Sequence, residues 1–99
     1  MTRLADALDV LRANAPRLQA RGVRHAAIFG SVARGEANAQ SDVDVLLEMD
    51  PERRIGLFGY AALCADIEEL FLPKADVVNA ATIKRRYRQS ILSDAIYAF

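Results

Sequence analysis

Between Thr2 and Ala20 the apolar residues Leu4, Leu8, Leu11, Ala15 and Leu18 recur at alternating steps of four and three. That spacing lines up one stripe of an amphipathic helix and predicts a single helix over this stretch, stopped at Gly22. The pattern then changes. Val23 to Phe29 is short and apolar and ends at Gly30-Ser31, which predicts a buried strand followed by a sharp turn. Val32 to Gln40 is small and polar, a short helical turn plus a loop. Val43 to Met49 predicts a second strand, closed by "DPE" at Asp50 to Glu52, where Pro51 cannot donate to a ladder. Helical spacing returns with Leu57, Tyr60, Ala61, Cys64, Ile67 and Phe71, and Pro73 marks its limit. "ADVVN", Ala75 to Asn79, is a third short strand. A last helix is predicted over about 82–97, capped by Thr82, with Ile83, Tyr87, Ile91, Ala95 and Ile96 facing the core or a partner.

The order helix, strand, strand, helix, strand, helix describes an α/β domain, a small sheet covered by helices, with no internal repeat. Ninety-nine residues with 53% hydrophobic content suit one domain spanning 1–99. Thirteen basic and thirteen acidic side chains cancel, so any charge-driven binding is local. The single cysteine, Cys64, and the lack of a leader pattern fit a reducing, cytoplasmic setting. No apolar run approaches the roughly 20 residues that span a bilayer, and a soluble protein without a membrane partner is expected.

One feature breaks the strand pattern: Asp42 and Asp44 alternate with apolar residues in "SDVDVLLE". At a rise of roughly 3.3 Å per residue, two such acids lie about 7 Å apart on one strand face. There they repel, meet water, or hold a cation. A bare Asp-x-Asp is more often solvated, and an isolated Gly-Ser more often only turns and caps. Asp76 changes that weighing, because it opens the third strand where it can reach the same side of the sheet. Three acids on adjacent strands suit a hard cation with nucleotide phosphates. Gly30 lets the backbone approach a ligand closely, and the N–H groups of a helix start at Ser31 suit a phosphate.

Gly30-Ser31, ten residues, then Asp42-x-Asp44 resembles the signature of the nucleotidyltransferase superfamily that includes DNA polymerase beta and the antibiotic-modifying nucleotidyltransferases. With "KADVVN" and "ILSDAIYAF" the likeness extends over about 23–99 and is similar to the minimal nucleotidyltransferases, often the antitoxins of HEPN-domain toxins. The resemblance implies a nucleotidyltransferase fold with a small mixed sheet of three to four strands, its motif core over 23–79. It further implies that Gly30 and Ser31 hold the β- and γ-phosphates of ATP, with Arg34 as a basic residue for the triphosphate or acceptor. Asp42, Asp44 and Asp76 would ligate two Mg²⁺ ions, and Asp76 would accept the hydroxyl proton. The implied activity is AMP transfer to a protein hydroxyl, a tyrosine, of a cognate HEPN toxin by a type VII-like antitoxin in a hetero-oligomer. The alternative is a non-catalytic partner that neutralises the HEPN ribonuclease by complex formation. "FLPKAD" departs from relatives that carry a Gly near the end of the second long helix.

The remaining chemistry-bearing residues have plainer expectations. Lys74 is a solvated charge before a strand, His25 is structural or exposed, and Cys64 is a small buried hydrophobe. "KRRYR", Lys84 to Arg88, is a polar helix face for solvent or an acidic partner, and direct RNA binding is not expected of a chain with zero net charge. The terminal Ile96, Tyr97 and Phe99 dock on their own domain or on another protein.

Overall fold

In the computed structural model, which describes residues 2–71 and 73–99, the elements run α1 (Leu4–Ala13), α2 (Ala15–Ala20), β1 (Val23–Phe29), α3 (Gly30–Arg34), β2 (Val43–Met49), α4 (Gly56–Glu68), β3 (Ala75–Asn79), a 3₁₀ turn (Ala80–Thr82), α5 (Arg85–Asp94) and β4 (Ile96–Tyr97). The sheet order is β3-β2-β1-β4. β1 is antiparallel to both β2 and β4, whereas β2 and β3 run parallel, joined through α4 as a βαβ unit. The expected mixed sheet is therefore present, with four strands. Among the described residues no helix is long and apolar enough to cross a membrane.

Alternation along the strands divides the sheet into two faces. Val43, Val45 and Leu47 of β2, with Ala26 and Ile28 of β1, belong to the main core together with Leu8, Leu11, Leu18, Leu63 and Ile67 of the helices. Asp44, Leu46 and Glu48 turn to the other face, where register sets them level with Phe29, Ala27 and His25 of β1.

The expected first helix is two helices. Pro16 falls in the first turn of α2, where its missing N–H is harmless, but in a continuous helix its ring would clash with the preceding turn. Asn14 closes α1 instead, donating from its amide nitrogen to the Val10 carbonyl at 2.8 Å. The expected stripe survives the break, since Leu8, Leu11 and Leu18 are buried.

The stripe of α4 is rotated from its expected position. Leu63, Ile67 and Phe71 are buried, Tyr60 and Cys64 are half-buried, and Leu57 and Ala61 face solvent. A helix apolar all round gives spacing alone no way to choose its inner side.

The last helix ends at Asp94, short of the expected 97. Ile96 and Tyr97 instead pair with Ile28 and Ala27 on the free edge of β1, where a β-branched and an aromatic side chain suit a strand. The Ala98 N–H donates to the Ala26 carbonyl at 2.8 Å, and Arg12 Nε donates to the Ala98 carbonyl at 2.8 Å. Ala98 is buried and Phe99 packs against the core, so this segment docks on its own domain.

Leu63 is fully buried between helix and sheet. Leu63→Ala is expected to cost about 2–4 kcal/mol in urea denaturation, whereas Leu92→Ala, on the exposed side of α5, should stay within about 0.5 kcal/mol of the parent.

Candidate active site at the ends of three strands

β1, β2 and β3 bring the motif residues to one end of the sheet. Asp44 pairs in register with Asp76 across the parallel ladder and with Phe29 across the antiparallel one. Gly30 follows Phe29 directly and opens α3. Asp42 lies just before β2, beyond the first bonded residue Val43, whose N–H donates to the Lys74 carbonyl at 3.0 Å. Asp44 is thus in the strand and Asp42 is on its approach, close enough that its charge acts on Asp44.

Gly30 is required for two independent reasons. Its φ is +71°, a region that side chains rarely adopt. A Cβ at this position would also sit 2.1 Å from Asp44 Oδ2 and 3.1 Å from Asp44 Cγ. The space left by the absent side chain is occupied by the Asp44 carboxylate itself, which lies directly against the turn. Ser31 is half-buried; its carbonyl accepts from the Glu36 N–H at 2.9 Å.

The acids bear on one another electrically. Burial pushes the Asp44 carboxyl above the ordinary carboxylate range, the negative charges of Asp76 and Asp42 push it further, and Arg34 partly offsets them. Among the described residues no three His, Cys, Asp or Glu side chains converge to ion-holding distance. The fit to a divalent cation therefore lies in the donor chemistry, hard oxygens gathered at one sheet end around a mutually strained charge, and not in a ready-made cage.

Arg34 is engaged within the protein. Its Nε donates to Glu36 Oε1 at 2.9 Å and its Nη1 to Asp94 Oδ2 at 2.5 Å, and these bonds raise its pKa further. The bond to Asp94 ties the end of α5 to α3 beside the acids. Sequence spacing gave no sign of it, because the two residues are 60 positions apart. A cavity of about 320 Å³ opens beside Arg34, walled by Arg3, Leu4, Val32, Ala33 and Ala37; none of the three acids lines it.

Of the other chemistry-bearing residues, Lys74 lies at this end, two residues before Asp76 with its carbonyl accepting from the Val43 N–H, whereas His25 sits toward the opposite end of β1. His25 meets the Tyr97 ring edge-on at 6.1 Å, and Tyr97 donates its hydroxyl to Glu48 Oε2. That bond, with some burial, pushes the Tyr97 phenol up to about 12. Burial pushes the Cys64 thiol up and the Tyr60 phenol up to about 12. Lys74 and the run Lys84 to Arg88 are exposed, with Arg86 over the Tyr87 ring at 4.8 Å.

The profile of the nucleotidyltransferase domain family matches residues 10–98. The chain belongs to the nucleotidyltransferase domain family. It is 32% identical over 98 residues to the protein adenylyltransferase MntA of Thermococcus cleftensis, covering 98% of this chain and 97% of that one. A solved minimal nucleotidyltransferase, 32% identical, superposes with a TM-score of 0.66 over 90% of this chain and 93% of its own. A toxin–antitoxin structure with AMP-PNP shares the fold at a TM-score of 0.65 and 16% identity, covering 93% of this chain and 68% of that chain. The chain is accordingly a nucleotidyltransferase-family enzyme.

Gly30→Ala is expected to lower unfolding free energy by at least about 1–3 kcal/mol from backbone strain alone, and Asp44→Gly in the same chain should return part of that loss by clearing the clash. Because the Asp44 pKa is raised in the folded state, its contribution favours folding below the ordinary carboxylate pKa and is lost as pH rises through the folded value. Asp44→Asn should therefore raise Tm at neutral pH in metal-free buffer, by no more than a few degrees given the partial exposure of the group. The gain should vanish below about pH 4, as read by thermal melts across pH.

Proposed function

We propose that the protein transfers AMP from ATP to a hydroxyl of a second protein, a tyrosine of a HEPN-domain toxin, and acts as that toxin's antitoxin. The observation that carries this reading is the Asp44 carboxylate seated on the side-chain-free face of Gly30 and level with Asp76. A turn suited to phosphate and a set of oxygen donors thereby lie at one end of the sheet. Support for a protein acceptor comes from the near full-length match to an adenylyltransferase of the same size, and a toxin–antitoxin assembly shares the fold.

In this reading Gly30 and Ser31 hold the triphosphate through the backbone N–H groups that open α3. Asp42, Asp44 and Asp76 would hold Mg²⁺, which when bound supplies charge neutralisation for the phosphates and the leaving group. The acceptor oxygen forms a bond to the α-phosphorus, and the bond from that phosphorus to the oxygen bridging to the β-phosphate breaks. Pyrophosphate departs with the electron pair, and the hydroxyl proton passes to Asp76, which is exposed and so open to a hydroxyl brought by another protein. Arg34 holds Glu36 and Asp94 through Nε and Nη1, which leaves its remaining N–H donors to serve the triphosphate.

Incubating the protein with a HEPN toxin, ATP and Mg²⁺ is expected to add adenylyl mass to the toxin in intact mass spectrometry. Asp42→Asn and Asp44→Asn should each lower the rate by at least about 100-fold. Toxin neutralised without any mass increase, equally by parent and variants, would instead identify a partner that acts by complex formation. Mg²⁺ with ATP should raise the Tm of the parent and leave that of the Asp42→Asn/Asp44→Asn double variant nearly unchanged.

A further inference from the structure

Helix α4 presents a second apolar side that is left exposed among the described residues. Its inner side carries Leu63 and Ile67. Roughly opposite on the helical wheel lie Leu57, Phe58, Ala61, Ala62 and Ala65, all exposed, with Leu57 79% and Phe58 88% accessible. Two large apolar side chains are thus followed by three small ones along one face, a bulge beside a shallow track.

The charges at the ends of α4 run against its own dipole. There is no acidic residue in the first turn and no basic residue in the last; Arg53 and Arg54 precede the helix, and Glu68 and Glu69 end it. Arg53 is already engaged, donating to the Gln19 and Ala20 carbonyls. Arg54, Glu68 and Glu69 are exposed and make no ion pair among the described residues. Within one chain this arrangement is mildly unfavourable.

We propose that α4 pairs antiparallel with α4 of a second copy of this chain, forming a two-fold dimer. Centred on Ala61 and Ala62, the pairing sets Phe58 over Ala65 of the second copy and brings Arg54, on the approach to the helix, toward the Glu69 end of the second copy, and the symmetry repeats both contacts. The helical span from Gly56 to Glu68, roughly 18 Å at 1.5 Å per residue, is used end to end. Alanines at the crossing let the axes approach to about 8 Å, the close end of helix packing. Each inverted terminal charge then faces its opposite, so one arrangement accounts for both anomalies. The acids lie on the sheet face away from α4, and the dimer leaves both sites open to acceptors. One helix pair is a small interface, and a reversible dimer is expected rather than a permanent one.

Sedimentation of the full chain across a range of concentrations tests this. The parent should pass from monomer to dimer as concentration rises. Phe58→Glu should weaken dimerisation by about 100-fold or more, with an unchanged circular dichroism spectrum because the side chain is exposed. Arg54→Glu and Glu69→Arg should each weaken it severalfold, and the combined Arg54→Glu/Glu69→Arg variant should recover it. That recovery is specific to the antiparallel register. A parent that stays monomeric at every concentration overturns the proposal, as does a dimer indifferent to Phe58→Glu or a charge swap without recovery. If Phe58→Glu abolishes toxin binding in a monomeric parent, the face belongs to that partner and the proposal also fails.

Discussion

The arrangement depends on a carboxylate held where a side chain would otherwise be. Asp44 sits in the middle of a three-stranded register, which fixes its backbone beside Asp76 and Phe29 and leaves its carboxylate lying against Gly30. Gly30 in turn cannot be any other residue while that carboxylate is there. The left-handed backbone at residue 30 starts α3 at the strand end, and α3 carries Arg34 into reach of Asp94. Turn, helix start and acid placement follow from one packing constraint, maintained by the buried core on the other side of the sheet.

That constraint has an energetic cost. A half-buried carboxylate facing two others is a poor stabiliser, and the fold compensates through Val43, Val45 and Leu47, which bury the reverse side of the same strand. Such local conflict between stability and charge is characteristic of sites kept for chemistry. It also explains why strand alternation and active-site placement coincide: the period of two sends three hydrophobes into the core and leaves Asp44 outside.

Much of this was legible in the residues. The three long strands, the turn at Gly30 and the gathering of Asp44 with Asp76 follow from apolar runs, breakers and acids at strand starts. What escaped has physical reasons. The split at Pro16 was hidden because the apolar stripe continues across it. The phase of α4 was hidden because a helix apolar on every side offers no contrast. β4 was hidden because Ile91, Ala95 and Ile96 keep helical spacing while the open edge of β1, a long-range feature, decides their conformation. Gly30 was read as room for a ligand; that Asp44 lies against it as well is a contact that no local pattern encodes. Arg34 likewise has its partners at Glu36 and Asp94, the second far away in the chain.

The edge strand carries a consequence for how the domain comes together. β1 meets β2 soon after it is made, but its other edge is closed by Ile96 and Tyr97, and the Arg12 to Ala98 bond joins residues 86 apart. Until those last residues arrive, β1 exposes a row of unpaired backbone groups, a surface prone to pairing with other chains. Sealing it is a long-range event and so among the slower ones. The folding domain is therefore most vulnerable to misassembly before Ile96 and Tyr97 dock on β1.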